Sequence, residues 1–394
     1  MKKFISGLGI NVLLLGIISF LTDVSSEMML AILPLFIVSV GGAGIAIGLI
    51  GGIGDSVASL LKVFSGYWSD RLRKRKPFAF FGYTLSSVAK LFFPFITSWT
   101  QLLILRPIER VGKGVRDAPR DALIAASSKV EVRGKAFGFH RAMDSFGAFL
   151  GALLAFILFW FLKFEFKLIL LVAAVTSFLA LFPFVWVKEK AFADQNKREN
   201  SFRINLRNLP TSFRRYLMVT VVFALGNFTY MFFILRARDV FQPLFPSRLA
   251  IAIPILLYCW FNIVYAVFSL PGGILSDRIG RRRTLRLGYL AHVLSCVGFA
   301  VTRTLTSFII LFAVYGFSFA LVEGNQRAFA SIFVEENLRG TALGAFHTAI
   351  GISTLIASIF AGILWNFSPK LTFSYGAVMG LVAAISIGSI GKKL

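Results

Sequence analysis

Asp23 and Glu27 are carboxylates four residues apart. On a helix that spacing stacks them on one face. Two acids so close, away from bulk water, are not easily both charged, which suits one of them to take up and release a proton. The alternative is that each is locked in a structural pair by a base such as Arg110 or Lys113. His140 and Asp144 repeat the spacing and read either as a proton relay or as a gate or clamp between helices. Asp55 is a further acid within an apolar run. Arg106, Arg110, Lys113, Asp117 and Arg120 recur every three or four residues, a stripe that must face a cavity or acidic helices. Arg110, Lys113 and Arg116 or Arg120 could instead grip a carboxylate or phosphate ester, for which arginine offers two parallel donors. Asn227, Tyr230, Asn262 and Tyr265 supply amide and hydroxyl groups later in the chain. His347, beside Phe346, reads as a packing residue or a site-lining one, and Glu323 with Arg327 as a structural ion pair.

Other chemistries find little support. No Gly-x-x-x-x-Gly-Lys-Ser/Thr phosphate cradle occurs, and Gly112-Lys113-Gly114 lacks the upstream glycine and the hydroxyl that such a site needs. Nucleophile motifs and metal cages are missing too, so an enzyme is not expected and no cofactor is implied. Transition-metal export is opposed by the many buried cations. A non-transporting membrane sensor or scaffold would gain little from so many charges at membrane depth.

The elements that carry these residues are set by composition. The 394 residues are 57% hydrophobic and 15% charged, with a mean hydropathy of +0.78. That excludes a water-soluble enzyme. Apolar runs give twelve membrane-spanning helices at 8–39, 44–68, 78–97, 99–127, 133–160, 166–187, 215–241, 248–274, 285–304, 306–334, 339–366 and 370–391. Most of the 42 Lys and Arg residues then fall on one side, including the clusters Arg71 to Lys76 and Arg281 to Arg283. Lys163, Lys167, Arg248, Arg303 and Lys370 fall on the other. The positive-inside rule therefore places both termini in the cytoplasm and the chain in the cell membrane. The net charge of +24 is a topology signal with a contribution from anionic lipid headgroups, not a nucleic-acid footprint. Lys2 and Lys3 before an apolar run resemble the opening of a signal peptide, but with Asp23 and Glu27 following and no small-residue cleavage site the expectation is an uncleaved first helix. Cys259 and Cys296 lie in apolar stretches and form no motif.

The polar stretch 188–214 divides the helices six and six, so the expected domains are a bundle at 1–187, a cytoplasmic linker at 188–214 and a bundle at 215–394. Laying one half over the other aligns Gly66-Tyr67-Trp68-Ser69-Asp70-Arg71 with Gly273-Ile274-Leu275-Ser276-Asp277-Arg278. It also aligns Arg133-Gly134-Lys135-Ala136-Phe137-Gly138 with Arg339-Gly340-Thr341-Ala342-Leu343-Gly344. Parallel repeats of this kind place a substrate site between them near the midplane.

Gly66-x-x-x-Asp70-Arg71-x-x-Lys74-Arg75, with its second copy Gly273-x-x-x-Asp277-Arg278-x-Gly280-Arg281-Arg282, resembles the cytoplasmic loop signature of the major facilitator superfamily. Arg73 stands where that signature usually has glycine. The resemblance implies an all-α membrane fold of two pseudo-symmetric six-helix bundles, and secondary transport by rocking of one against the other. It also implies that Asp70 meets the amino end of the eleventh helix near Arg339 to Thr341, with Asp277 doing the same at the fifth, while Lys74 or Arg75 latches onto Asp121. Arg71, Arg278 and Arg281 belong to these gating loops. Arg110-x-x-Lys113-Gly114 resembles the fourth-helix signature of proton-coupled exporters, with Lys113 in place of the usual glutamine. Gly138, Gly147 and Gly151 resemble an exporter pattern on the fifth helix, with Ala152 where proline is expected, although close helix packing also explains them. Ser25-Ser26-Glu27-Met28, the run Arg110 to Ala125 and Gly138-Phe139-His140-Arg141-Ala142-Met143-Asp144 look like a poorly characterised bacterial and archaeal permease subgroup. The expected activity is proton-coupled antiport of a small organic solute by a monomer in the lipid bilayer, with an organic-anion or phosphate-ester exchanger as the alternative.

Overall fold

A computed structural model describes residues 8–72, 74–129, 132–189, 209–334 and 339–390, apart from the side chains at 63, 67, 70, 339 and 340. Among the described residues the regular structure is helical. In chain order the helices are α1 (Ile10–Ser39), α2 (Gly44–Arg71), α3 (Arg75–Phe92), α4 (Trp99–Ala126), α5 (Arg133–Trp160), α6 (Phe166–Leu179), α7 (Thr211–Gly226), α8 (Met231–Phe241), α9 (Ser247–Ile279), α10 (Arg281–Val301), α11 (Leu305–Ala330), α12 (Arg339–Phe367) and α13 (Pro369–Ser386). Helices are what the composition dictates, because a backbone in hydrocarbon must satisfy its polar groups within its own segment.

Among the described residues eleven stretches are long and apolar enough to span a bilayer. The twelfth expected span, α4, has the length at 28 residues but carries the charged stripe. A lone helix of that charge would not partition into lipid, so α4 depends on its neighbours to bury its polar face.

The seventh span departs from the continuous helix expected at 215–241. It breaks after Gly226 and resumes at Met231, with Asn227 at a non-helical φ of −95° and ψ of 71°. The groups freed by the break find partners on other helices. Tyr375 donates its hydroxyl to the Leu225 carbonyl at 2.5 Å, and the Thr229 N–H donates to Ser358 Oγ at 3.1 Å. The Gly226 carbonyl lies 3.4 Å from His292 Nε2. Breaks at membrane depth persist when neighbours satisfy the backbone in this way.

By contacts the chain forms two compact units, one of residues 1–32, 57–97 and 101–202, the other of 33–56, 98–100 and 203–394. The first packs around Val12, Leu15, Ile18, Tyr83, Leu123, Ile124 and Phe184. Asn11 anchors the end of the sixth span there, donating to the Lys188 carbonyl at 2.6 Å and accepting from the Lys188 N–H at 3.0 Å. Glu189 caps α3, its carboxylate accepting from the N–H groups of Arg75 at 2.6 Å and Lys76 at 3.1 Å. Negative charge is favoured at a helix amino terminus.

The second unit packs around Tyr216, Phe223, Tyr289, Phe329 and Phe346. Within it α2 lies directly on α12, since a Cβ added to Gly48 would stand 2.2 Å from the Ser358 carbonyl oxygen. Gly280, at φ 90°, turns the chain between α9 and α10 in the second copy of the loop signature. Its counterpart Arg73 lies outside the described residues.

Candidate functional site: a charged cluster on α1, α3, α4 and α5

Close helix crossings bring the charged residues of the first unit together. Gly112 on α4 meets Gly82 on α3, where an added Cβ would stand 2.5 Å from the Gly82 carbonyl oxygen. Gly112-Lys113-Gly114 is thus a packing motif and not a phosphate loop. Ser86 reinforces the crossing by donating to the Glu109 carbonyl at 2.9 Å.

Much of the α4 stripe neutralises itself. Glu109, 1% exposed, takes Arg106 Nη1 at 2.7 Å and Arg110 Nε at 3.6 Å. Asp117 faces Lys62 Nζ of α2 at 3.5 Å, Arg120 Nη1 at 3.8 Å and Arg116 Nε at 4.0 Å. Arg120 also reaches Asp121 at 2.9 Å. Arg110, expected to face solute or to lock Asp23 or Glu27, has its Nε 3.6 Å from Glu109 and forms no ion pair with Asp23 among the described residues.

Three cations are less closely paired. Lys90 on α3, 1% exposed, donates to Ser25 Oγ and Ser26 Oγ of α1, both at 2.9 Å. Among the described residues no carboxylate forms an ion pair with Lys90 or with Lys113. Arg116, 3% exposed, lies over the Tyr83 ring with its guanidinium carbon 4.4 Å from the centroid. Its Nε and Nη1 are buried with no hydrogen-bond acceptor among the described residues. A buried donor left unmade carries most of its desolvation cost.

Asp23 stands among these cations. It interacts electrostatically with Lys113 and Arg116 on α4, with Asp144 on α5 and with Glu27 on its own helix, and it is also felt by Lys90. No hydrogen bond or ion pair joins it to a described neighbour. Glu27 is not free. Asp144 is held more firmly, accepting from Ser19 at 2.5 Å and lying 3.4 Å from His140 Nδ1. His140 is buried and its Nε2 has no partner among the described residues. The structure therefore brings together Asp23, Glu27, His140, Asp144, Lys113 and Arg116.

Asp55 belongs to the second unit, where Tyr315 feels its charge. There Tyr265 donates its hydroxyl to Glu323, which pairs with Arg327 at 3.2 Å as expected. Tyr230 packs on Tyr258 with ring centroids 5.1 Å apart. The Nδ2 of buried Asn262 has no partner among the described residues. His347 lies edge-on to Phe346, and Asn227 marks the break between α7 and α8.

The residues expected to gate lie at helix ends. Gly66 and Arg71 close α2, and Lys74 precedes α3. Gly273, Asp277 and Arg278 occupy the last turns of α9, while Arg281 donates to the Ala328 carbonyl at 2.8 Å. The Asp70 side chain and those of Arg339 and Gly340 lie outside the described residues.

Sequence reasoning assigned no role to Lys90, Glu109 or His292. The adjacent serines of α1 were the available signal for Lys90, since a buried ammonium needs acceptors. His292 meets the carbonyl of a helix break that the apolar run did not reveal. Among the described residues no three His, Cys, Asp or Glu side chains gather as metal ligands.

The family model of the Major Facilitator Superfamily matches residues 15–249 and 237–390. The chain belongs to the major facilitator superfamily. An uncharacterized MFS-type transporter of Methanocaldococcus jannaschii is 45% identical over 375 residues, covering 95% of this chain and 93% of that one. The multidrug resistance protein MdtH of Salmonella paratyphi C is 22% identical, covering 90% and 87%. Two solved structures share the fold. The nucleoside transporter NupG superposes with a TM-score of 0.79 at 16% identity, covering 98% of this chain and 100% of that one. A D-xylose-proton symporter does so with a TM-score of 0.70 at 17% identity, covering 96% of each. The chain is thus a multi-pass membrane protein of the MFS fold, in a family of small-molecule transporters.

Proposed function

We propose that this member of the superfamily is a secondary active transporter of a small organic solute, coupled to protons through Asp23 with Glu27 beside it. One observation carries the reading: Asp23 is a carboxylate at membrane depth without a hydrogen bond or ion pair among the described residues, set within reach of both acids and bases. A carboxylate so placed changes its charge without first breaking a clamp, unlike Asp144 or Glu109. Antiport in the efflux direction is the proposed mode, and the multidrug-resistance name of the MdtH relative supports it. The moving bodies are 1–187 and 215–394, joined by 188–214. Asp70, Asp277 and their basic neighbours close the cytoplasmic side of a monomer in the cell membrane, with both termini inside.

In the second unit Asn227, Tyr230, Asn262 and Tyr265 contribute solute shape and hydrogen bonding. The test is solute-driven proton movement in vesicles of the reconstituted protein. Asp23→Asn and Glu27→Gln should each alter its pH dependence, and an unchanged profile in both variants would sink the assignment.

A second reading, exchange of organic anions or phosphate esters, is favoured by Arg116, whose buried guanidinium nitrogens await an acceptor. Counterflow of an anionic solute without a pH gradient tests it.

A further inference from the structure

Lys90 and Arg116 are buried cations within electrostatic reach of each other. Like charges repel, and neither has a close, well-bonded carboxylate. Lys90 is held by two hydroxyls, while Arg116 has the Tyr83 ring face and, 4.0 Å away, an Asp117 oxygen that Arg120 also faces, with Lys62 on the other oxygen. Glu109, which Lys90 also feels, is occupied by Arg106 and Arg110. Asp23 is thus the uncommitted negative charge facing Lys90, Lys113 and Arg116. When it takes up a proton, the three cations keep only Asp117 and Glu109, which are already shared with Lys62, Arg120, Arg106 and Arg110. Uncompensated buried cations are costly, and an incoming anion relieves that cost.

We propose that Arg116, Lys90 and Lys113 form an anion site that receives a carboxylate or phosphate-type oxyanion, with Asp23 competing for the same cations. The planar guanidinium selects oxyanions over round halides, and the ammonium groups supply further positive charge. Competition fixes the sign of coupling. Anion and Asp23 carboxylate exclude one another, so anion and proton bind together, and by linkage each strengthens the other. An anionic solute therefore travels with the proton. The inference deepens the anion reading and rests on it.

Sulfate is the probe, because its charge is constant across neutral pH. Calorimetric titration of the purified full chain should show sulfate affinity rising as pH falls. Arg116→Gln and Lys90→Gln should each weaken binding by about tenfold or more, with Arg116→Lys retaining part of it. Asp23→Asn should bind about tenfold more tightly and without pH dependence. The groups facing Asp23 are Glu27, Asp144, Lys113, Arg116 and Lys90, with His140 behind Asp144. A pH effect carried by His140 would survive in Asp23→Asn, and that result overturns the proposal.

Unchanged sulfate affinity in folded, monodisperse Arg116→Gln and Lys90→Gln also overturns it. Arg238→Gln, in the second unit, should bind as the parent does. Exchange of radiolabelled sulfate in vesicles assigns the site to a free anion, while Arg116-dependent binding without exchange assigns it to the anionic group of a larger solute. Failure of vesicle transport with binding intact removes the transport reading and leaves the site standing.

Discussion

Lys90 Nζ donates to Ser26 Oγ at 2.9 Å, so a cation buried on α3 is held by a neutral hydroxyl of α1. Ser25 provides the second such contact and donates its own hydroxyl to the Ala173 carbonyl at 2.6 Å. Removing these acceptors should cost more than an exposed hydrogen bond would, because the ammonium stays buried without compensation. Ser25→Ala with Ser26→Ala should lower stability by about 2 to 5 kcal/mol. Adding Lys90→Met should recover most of the loss by replacing a buried charge with an apolar chain of similar length. Thermal unfolding of the three proteins in detergent checks this, and no recovery in the triple variant would contradict it.

Asp23 and Asp144 should separate functionally although both are acids of the same cluster. Asp144 is held by Ser19 and His140 between α1 and α5, so Asp144→Asn should destabilise the first unit by about 1 to 3 kcal/mol. Asp23→Asn removes no such bond. It should lower the melting temperature only through the negative charge lost to Lys90, Lys113 and Arg116, an effect that added sulfate reverses, while abolishing the proton dependence of transport. Paired melting and vesicle assays would expose the reverse pattern if the roles were exchanged.

The sequence carried the spans, the orientation signal and the family, because apolar length, Lys and Arg placement and a repeated loop motif survive without knowledge of contacts. Helical spacing also put Asp23 with Glu27, His140 with Asp144 and the α4 stripe each on one face of its own helix. What it did not carry was partnership. Arg110 could be imagined on Asp23, yet Glu109 next to it in the chain takes the charge. Such a choice depends on rotamer and packing, not on spacing. The break at Asn227 was hidden for a similar reason: its apolar surroundings read as continuous helix, and the polar groups that stabilise it come from Tyr375, Ser358 and His292, far away in sequence.

The crossing of α3 and α4 makes a sharp packing test. A methyl group on Gly112 would meet Ser86 Oγ at 2.4 Å and the Gly82 carbonyl oxygen at 2.5 Å. Backbone cannot yield there without separating the helices that carry Lys90 and Arg116. Gly112→Ala should cost about 1 to 3 kcal/mol, and Gly112→Val should prevent accumulation of folded protein. Gly138 has nothing within 4 Å of an added Cβ, so Gly138→Ala should melt as the parent does. Equal behaviour of the two alanine variants would refute the crossing.

The ion pair of Glu323 and Arg327 tests the opposite limit. Both side chains are about two-fifths exposed and sit four residues apart on α11. Wet pairs of this kind contribute little, about 0 to 1 kcal/mol, so Arg327→Gln should barely move the melting temperature. Glu323 differs, because Tyr265 of α9 also donates to it. Glu323→Ala removes an acceptor that joins two helices and should cost more than Arg327→Gln. Tyr265→Phe leaves Glu323 its arginine partner and should fall between them. A double-mutant cycle on Tyr265 and Glu323 measures the link directly. A coupling indistinguishable from zero would mean that the hydroxyl and the carboxylate are both served by water, and Tyr265 would then be free to meet solute instead.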